Sequence, residues 1–176
     1  MNKALESFAE SRMGAVRLES LKTRLGRKGL FFISVEAYPD AETYNLVNAL
    51  AAEEGSSPER LLVDFGEYWL EYATKSEFGH LLGLMGNDFV CFFENINEIH
   101  APINYCFPKL NPPAFQVEKK GEREFLLHYT SNREGLAPMV VGFIKGTGKR
   151  FGHQPVITTV QQAQRGSGTT IFHVEF

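Results

Sequence analysis

Cysteine is scarce in this chain: Cys91 and Cys106 are the two among 176 residues. Two thiols cannot build a disulfide framework, so the fold must rest on its core, and a reducing, cytoplasmic compartment is the expectation. Excess charge of either sign is also lacking. Eighteen Lys and Arg stand against 21 Asp and Glu, a net charge of -3, and the one basic cluster, Lys145 to Arg150, is short. A nucleic-acid partner is excluded on that count, because it would need basic side chains gathered on one face. No apolar run approaches the roughly 18 residues of a membrane span. The opening MNKALESFAESRMG carries Glu6 and Glu10 and no apolar stretch, so it does not read as a secretory signal. Repeats, linkers and low-complexity segments are missing as well, which leaves residues 1–176 as one expected domain.

Aromatic residues are what the chain does have. Fifteen phenylalanines and 43% apolar residues suit a sizeable core, and a chain of this length buries about 70% of the surface it exposes when unfolded. The first half reads as helices. Residues 2–13 carry Ala4, Leu5, Phe8 and Ala9 on one side, and a second helix carries Leu18, Leu21 and Leu25. Leu30 to Val35 is apolar and β-branched but too short for a buried helix, so a brief extended segment is expected there. Pro39-Asp40 opens a helix with Asp40 as its cap, and Ser57-Pro58-Glu59 opens another that runs to about Tyr72 and buries Leu61, Leu62, Phe65 and Trp69. A short helical piece follows over Phe78 to Met85.

From Phe89 the sequence FVCFFENINEIHAPINY places Phe89, Phe92, Phe93, Ile96, Ile99 and Ile103 at three- and four-residue steps. Pro102 lies within it, so a kink or an end is expected at that point. After Asn111 the rhythm alternates instead. Ala114 to Glu118 and Arg123 to Tyr129 read as two strands, Leu136 to Phe151 as a helix, and Gln154 to Gln164 with Thr169 to Phe176 as a hairpin about Gly166-Ser167-Gly168. The fold class is therefore α+β: an N-terminal helical subdomain, then an antiparallel sheet with a long crossing helix.

Few residues offer chemistry. His100 lies on the apolar face of the Phe89 helix, and the ordinary reading of a lone histidine there is a core residue bonded to backbone groups. The other reading is a metal ligand, since heme iron is commonly held by one neutral imidazole from a helix. Tyr129, Ser131 and Arg133 follow; if the strand continues that far, period two places all three on one side, where an arginine fork and two hydroxyls suit a carboxylate. The ordinary alternative is a strand end with a salt bridge. His128 and His173 alternate with inward residues and face away from the core. No histidine pair has a zinc spacing, Cys91 reads as a small packed hydrophobe, and Gly146-Thr147-Gly148-Lys149 lacks the earlier glycine of a phosphate loop. No acid–base pair or nucleophile elbow is present, so no catalytic residue is assigned.

Taken together, His100, Pro113 thirteen residues later, Tyr129-x-Ser131-x-Arg133 and GLAPMVVGFIKGTGKRF, with EAYPDAETYNLV and FGEYWLEY upstream, resemble the heme nitric oxide/oxygen binding (H-NOX) family. That family includes stand-alone bacterial gas sensors and the heme domain of soluble guanylate cyclase. The resemblance implies a b-type heme (protoheme IX) between the helical and sheet parts, with His100 as the iron ligand. Tyr129, Ser131 and Arg133 would grip the propionates, and Pro113 would press on the porphyrin. Phe65, Trp69 and Met139 would line the distal side, Met139 standing where oxygen-binding members carry a tyrosine.

It further implies a non-enzymatic sensor that prefers nitric oxide, takes carbon monoxide and binds oxygen weakly. Its partner would be a separate histidine kinase or cyclic-di-GMP enzyme, reached through rupture of the Fe–His bond and a helix shift. The alternative function is a heme-free small-molecule module of the related 4-vinyl-reductase-like fold. Relative to the family pattern the chain starts about one helical turn late, and a more open distal pocket is expected from that.

Overall fold

A computed structural model describes residues 1–34, 36–76, 79–163 and 168–176. The helical half comprises α1 (Asn2–Met13), α2 (Ala15–Arg24), α3 (Asp40–Glu54) and α4 (Pro58–Lys75), followed by a 3-10 segment, Gly79–Met85, and α5 (Phe89–Cys106). A short 3-10 turn, Pro108–Leu110, leads to β1 (Ala114–Gly121) and β2 (Glu124–Thr130). The helix α6 (Ala137–Arg150) then crosses to β3 (Val156–Gln161) and β4 (Thr169–Glu175). All pairings are antiparallel in the order β1-β2-β4-β3, so the α+β expectation holds.

Local chemistry accounts for the helix starts. Ser57 Oγ accepts the Arg60 amide at 3.2 Å with Pro58 behind it, and Asp88 Oδ1 accepts the amides of Val90 and Cys91 at 3.0 and 2.9 Å. Each satisfies amides that lack an intrahelical acceptor. Asp40 does not cap α3. Pro39 occupies the cap position, and the Asp40 carboxylate is drawn instead to Arg133, 2.7 Å away.

Two further segments can be described from their local contacts. Residues 30–34 form no strand, because they have no sheet edge to pair with: the Ile33 amide goes to the Tyr38 hydroxyl at 2.9 Å and the Ile33 carbonyl to Glu36; Val35 lies outside the described residues. Helix α5 also runs on through Pro102 to Cys106. Glu98, Ala101 and Pro102 are all exposed, so the Glu98 carbonyl that loses its donor can turn to water. Phe78 and residues 164–167 of the proposed hairpin turn likewise lie outside the described residues.

The core falls into two clusters. One joins α5, α6 and the inner sheet face through Phe89, Phe92, Phe93, Phe125, Leu127, Phe143, Ile144 and Phe172. The other joins α1 to α4 through Leu5, Phe8, Leu46, Leu50, Leu61 and Phe65. Trp69 packs against both. The two halves are also joined where α4 crosses α6 at backbone distance. A Cβ on Gly66 would lie 2.0 Å from the Met139 carbonyl oxygen, and one on Gly142 would lie 1.9 Å from that of Val63, so only glycine permits this approach.

Candidate heme site

His100 reaches the site from the fourth turn of α5, one residue beyond Ile99 and three beyond Asn97. Its Nδ1 lies 2.8 Å from the Pro113 carbonyl oxygen. A carbonyl only accepts, so Nδ1 carries the proton and the Nε2 lone pair is left for a ligand or metal. Burial pulls the His100 pKa below its ordinary value, the Pro113 hydrogen bond opposing the shift, so the ring is neutral near pH 7. That is the form that ligates iron. Asn97, which the sequence reading passed over, fastens the same segment. Its amide donates to the Phe115 carbonyl at 2.5 Å and its oxygen accepts the Phe115 amide at 3.1 Å. The spacing of three between Asn97 and His100 on one helix face was the available signal.

Phe115 links His100 to the polar triplet. Its ring centroid is 6.1 Å from His100 and 5.4 Å from Tyr129. Tyr129 is buried and hydrogen-bonded to Ser131; burial raises its pKa, while Ser131 and the Arg133 charge oppose the rise. The three residues do converge, though not by strand periodicity. Strand β2 stops at Thr130, and Ser131 Oγ accepts the Arg133 amide at 3.1 Å. A serine turn thus brings the guanidinium round.

Arg133 meets the N-terminal half. Nη2 donates to Thr43 Oγ1 at 2.8 Å and Nη1 lies 3.3 Å from Met1 Sδ. Nε lies within ion-pair distance of Asp40, yet its N–H is not aligned on that oxygen, and among the described residues this buried nitrogen has no hydrogen-bond acceptor. A buried guanidinium donor without an aligned acceptor is costly, and an anionic group would relieve that cost.

The residues expected on the distal side sit with the N-terminal cluster. Phe65 is fully buried and meets Trp69 edge-on at 6.0 Å. Met139, from the first turn of α6, packs against the same cluster. Pro113 is half-buried, its carbonyl committed to His100. The remaining candidates carry no chemistry here. His128 and His173 pair with Glu118 and Glu124 on the outer sheet face. Cys91 is half-buried rather than buried, and its hydrogen bond to Asp88 pushes the thiol pKa up.

The Haem-NO-binding family profile matches residues 1–159. The chain belongs to this family. Soluble guanylate cyclase gcy-37 of Caenorhabditis elegans is 31% identical over 146 residues, 78% of this chain but 21% of that protein. Guanylate cyclase soluble subunit beta-2 of Rattus norvegicus is 33% identical over 93 residues, 53% of this chain and 14% of that protein. The chain thus spans about a fifth or less of the length of these curated relatives. An H-NOX protein from S. oneidensis, solved in its Fe(II)NO ligation state, superposes with a TM-score of 0.83 at 17% identity over 98% of this chain and 94% of that one, so the fold is the H-NOX fold. Among the described residues no helix is long and apolar enough to cross a membrane.

The residues present fit a heme. A neutral imidazole with one nitrogen free, an aromatic and aliphatic surround, and an orphaned guanidinium N–H beside two hydroxyls are of the chemical kinds that would suit its iron, its porphyrin and its propionates.

Proposed function

We propose that residues 1–176 act as one heme-binding domain and as a gas sensor for nitric oxide and carbon monoxide, not as a catalyst. The observation that carries this reading is the His100 imidazole, with Nδ1 spent on the Pro113 carbonyl and Nε2 left free in aromatic surroundings. A b-type heme held there without a covalent link would supply a ferrous iron able to bind the gas, and nitric oxide would weaken the iron's hold on His100. His100 would hold the iron, Tyr129, Ser131 and Arg133 would hold the propionates, and Pro113 would bear on the porphyrin.

The output is a change in population and not a reaction. When His100 is released, α5 is free to shift, and it carries the 113–115 segment with it through the Asn97 and His100 hydrogen bonds. The exposed Tyr105 and Phe107 at the end of α5 move with it and alter the surface that a separate histidine kinase or cyclic-di-GMP enzyme reads. Selectivity follows from Met139, which has no hydroxyl to donate to bound oxygen; nitric oxide depends on such a donor far less. The heme-free reading has less support, because it leaves the free Nε2 and the orphaned Arg133 donor without a purpose.

Reduced, heme-supplemented protein is expected to show a five-coordinate ferrous spectrum that shifts on adding nitric oxide; protein that stays colourless refutes the proposal. In His100→Gly the axial bond is expected to be lost and restored by free imidazole. An unchanged ferrous spectrum in that variant would remove His100 as the ligand.

A further inference from the structure

We infer that Thr43 is the positioning residue for the Arg133 guanidinium at the heme carboxylate, with Asn2 fixing Thr43 in turn. The inference rests on the heme reading above and adds two residues to it, from α3 and α1. Thr43 is 1% exposed and Asn2 8%, and both are polar side chains inside the fold. Thr43 Oγ1 lies 2.6 Å from Asn2 Oδ1 and 2.8 Å from Arg133 Nη2. A hydroxyl has one proton to give. The guanidinium can only donate, so Thr43 must accept from Arg133 and spend its own proton on the Asn2 carbonyl. The direction of the chain Arg133 to Thr43 to Asn2 is therefore fixed, and so is the role of each member.

Other contacts do not orient the guanidinium as well. The Met1 sulfur at 3.3 Å is a weak acceptor. Asp40 is close, but the Nε–H is not aligned on it, and half of that carboxylate side chain faces solvent. Thr43 is thus the buried, aligned oxygen that sets the plane of the fork, leaving Nε–H for a carboxylate. Because Asn2 opens α1 and Thr43 sits in the first turns of α3, the placement of both helices is tied to how the carboxylate is held.

The test is heme loss from the loaded full-length protein to excess scavenger globin, alongside the heme propionate bending band in the resonance Raman spectrum. Losing a hydrogen bond to a charged group corresponds to about a tenfold to hundredfold faster loss in Thr43→Val, with a shifted propionate band. Thr43→Ser keeps the hydroxyl and is expected to stay near wild type. Arg133→Ala is expected to lose heme fast, and adding Thr43→Val to it should give no further increase. Should Thr43→Val not fold, Asn2→Ala carries the same test, with an intermediate rate. Wild-type loss rates in Thr43→Val or Asn2→Ala, a Thr43→Ser as fast as the valine variant, or rates that multiply in the double variant would each overturn the inference while leaving the heme reading standing. Wild-type protein that takes up no heme would overturn both.

Discussion

Substituting alanine for glycine along the α4–α6 crossing should destabilise the protein in a graded order that the geometry sets in advance. At Gly142 the added Cβ would lie 1.9 Å from the Val63 carbonyl oxygen, 2.8 Å from its carbon and 3.0 Å from the Glu67 nitrogen. All three are backbone atoms of α4, so no side-chain rotation relieves the clash. Ordinary contact begins near 3.4 Å, so the helices must part by roughly 1.5 Å over this stretch, and Val140, Phe143 and Ile144 lose some of their packing. Overpacking of this kind costs ~1–3 kcal/mol or somewhat more, while alanine returns ~1 kcal/mol of helix propensity. Because only backbone can yield, the upper end of that range applies, and a net loss of up to about 2 kcal/mol is expected for Gly142→Ala, with a similar one for Gly66→Ala, whose Cβ would lie 2.0 Å from the Met139 oxygen. Gly146 provides the control on the same helix. Its Cβ would lie 3.1 Å from the Glu67 oxygen, a few tenths of an ångström too near, so propensity should roughly cancel the strain. Urea unfolding of the three variants, compared at a common m-value, reads the order. If Gly142→Ala is no less stable than Gly146→Ala, the close backbone crossing is refuted.

Asp88→Ala should cost about 1 kcal/mol through loss of the α5 cap, read as a lower urea midpoint. Hydrogen bonds to Cys91 and Val90 lower the Asp88 pKa in the folded chain, so the stabilisation is present above the unfolded value near 3.8 and is lost as pH falls through the folded one. Heme-free protein should also lose stability as pH drops below about 6.5, because burial lowers the His100 pKa in the fold and the unfolded chain then binds a proton that the folded chain refuses. The slope is at most about 1.4 kcal/mol per pH unit, and His100→Gln should flatten it in thermal melts; an equal slope in that variant assigns the effect elsewhere. Met139→Tyr should slow oxygen dissociation from the reduced, heme-loaded protein, measured by flash photolysis, and an unchanged rate would place residue 139 away from the bound gas.

What could be read from residue order was whatever depends on local spacing. The apolar steps from Phe89 to Ile99 place His100 on the inner face of α5 wherever that helix packs, and the Ser57-Pro58-Glu59 start works through atoms within three residues of one another. The Tyr129-Ser131-Arg133 triplet does come together, but not on the premise of strand periodicity. Strand period two would have spread the three along one face, whereas a serine turn after Thr130 folds the arginine back. Asp40 shows where residue order gives out. Its position before a helical run favours a cap, and nothing nearby indicates that an arginine 93 residues later will take its carboxylate. The same holds for Asn2 and Thr43, which acquire a role only when α1 and α3 are brought together. Asn97 was within reach, because its spacing from His100 places both on one face, but an asparagine on a helix looks like a solvated residue until β1 supplies its partners.

These contacts divide the site between the two cores. His100 belongs to the half built on α5 and the sheet, and Asn97 locks it to the start of β1. Arg133 leaves the sheet but is held by the other half, through Thr43 and Met1, while Tyr44 donates to the neighbouring Glu134 carbonyl. A heme held by both residues would bridge two bodies that also meet at Trp69 and along the α4–α6 crossing. Gly66 and Gly142 bring those helices to backbone contact, so they can pivot there more easily than they can slide. On the proposed reading, breaking the His100 bond would release one anchor while Arg133 keeps the other, and the strain would resolve as rotation about the crossing. Loosening the crossing with Gly142→Ala should then reduce the shift of α5 that nitric oxide produces, even where heme and gas still bind. Amide hydrogen exchange across α5, with and without nitric oxide, measures that shift directly; a full-sized change in the variant would separate the crossing from the signal.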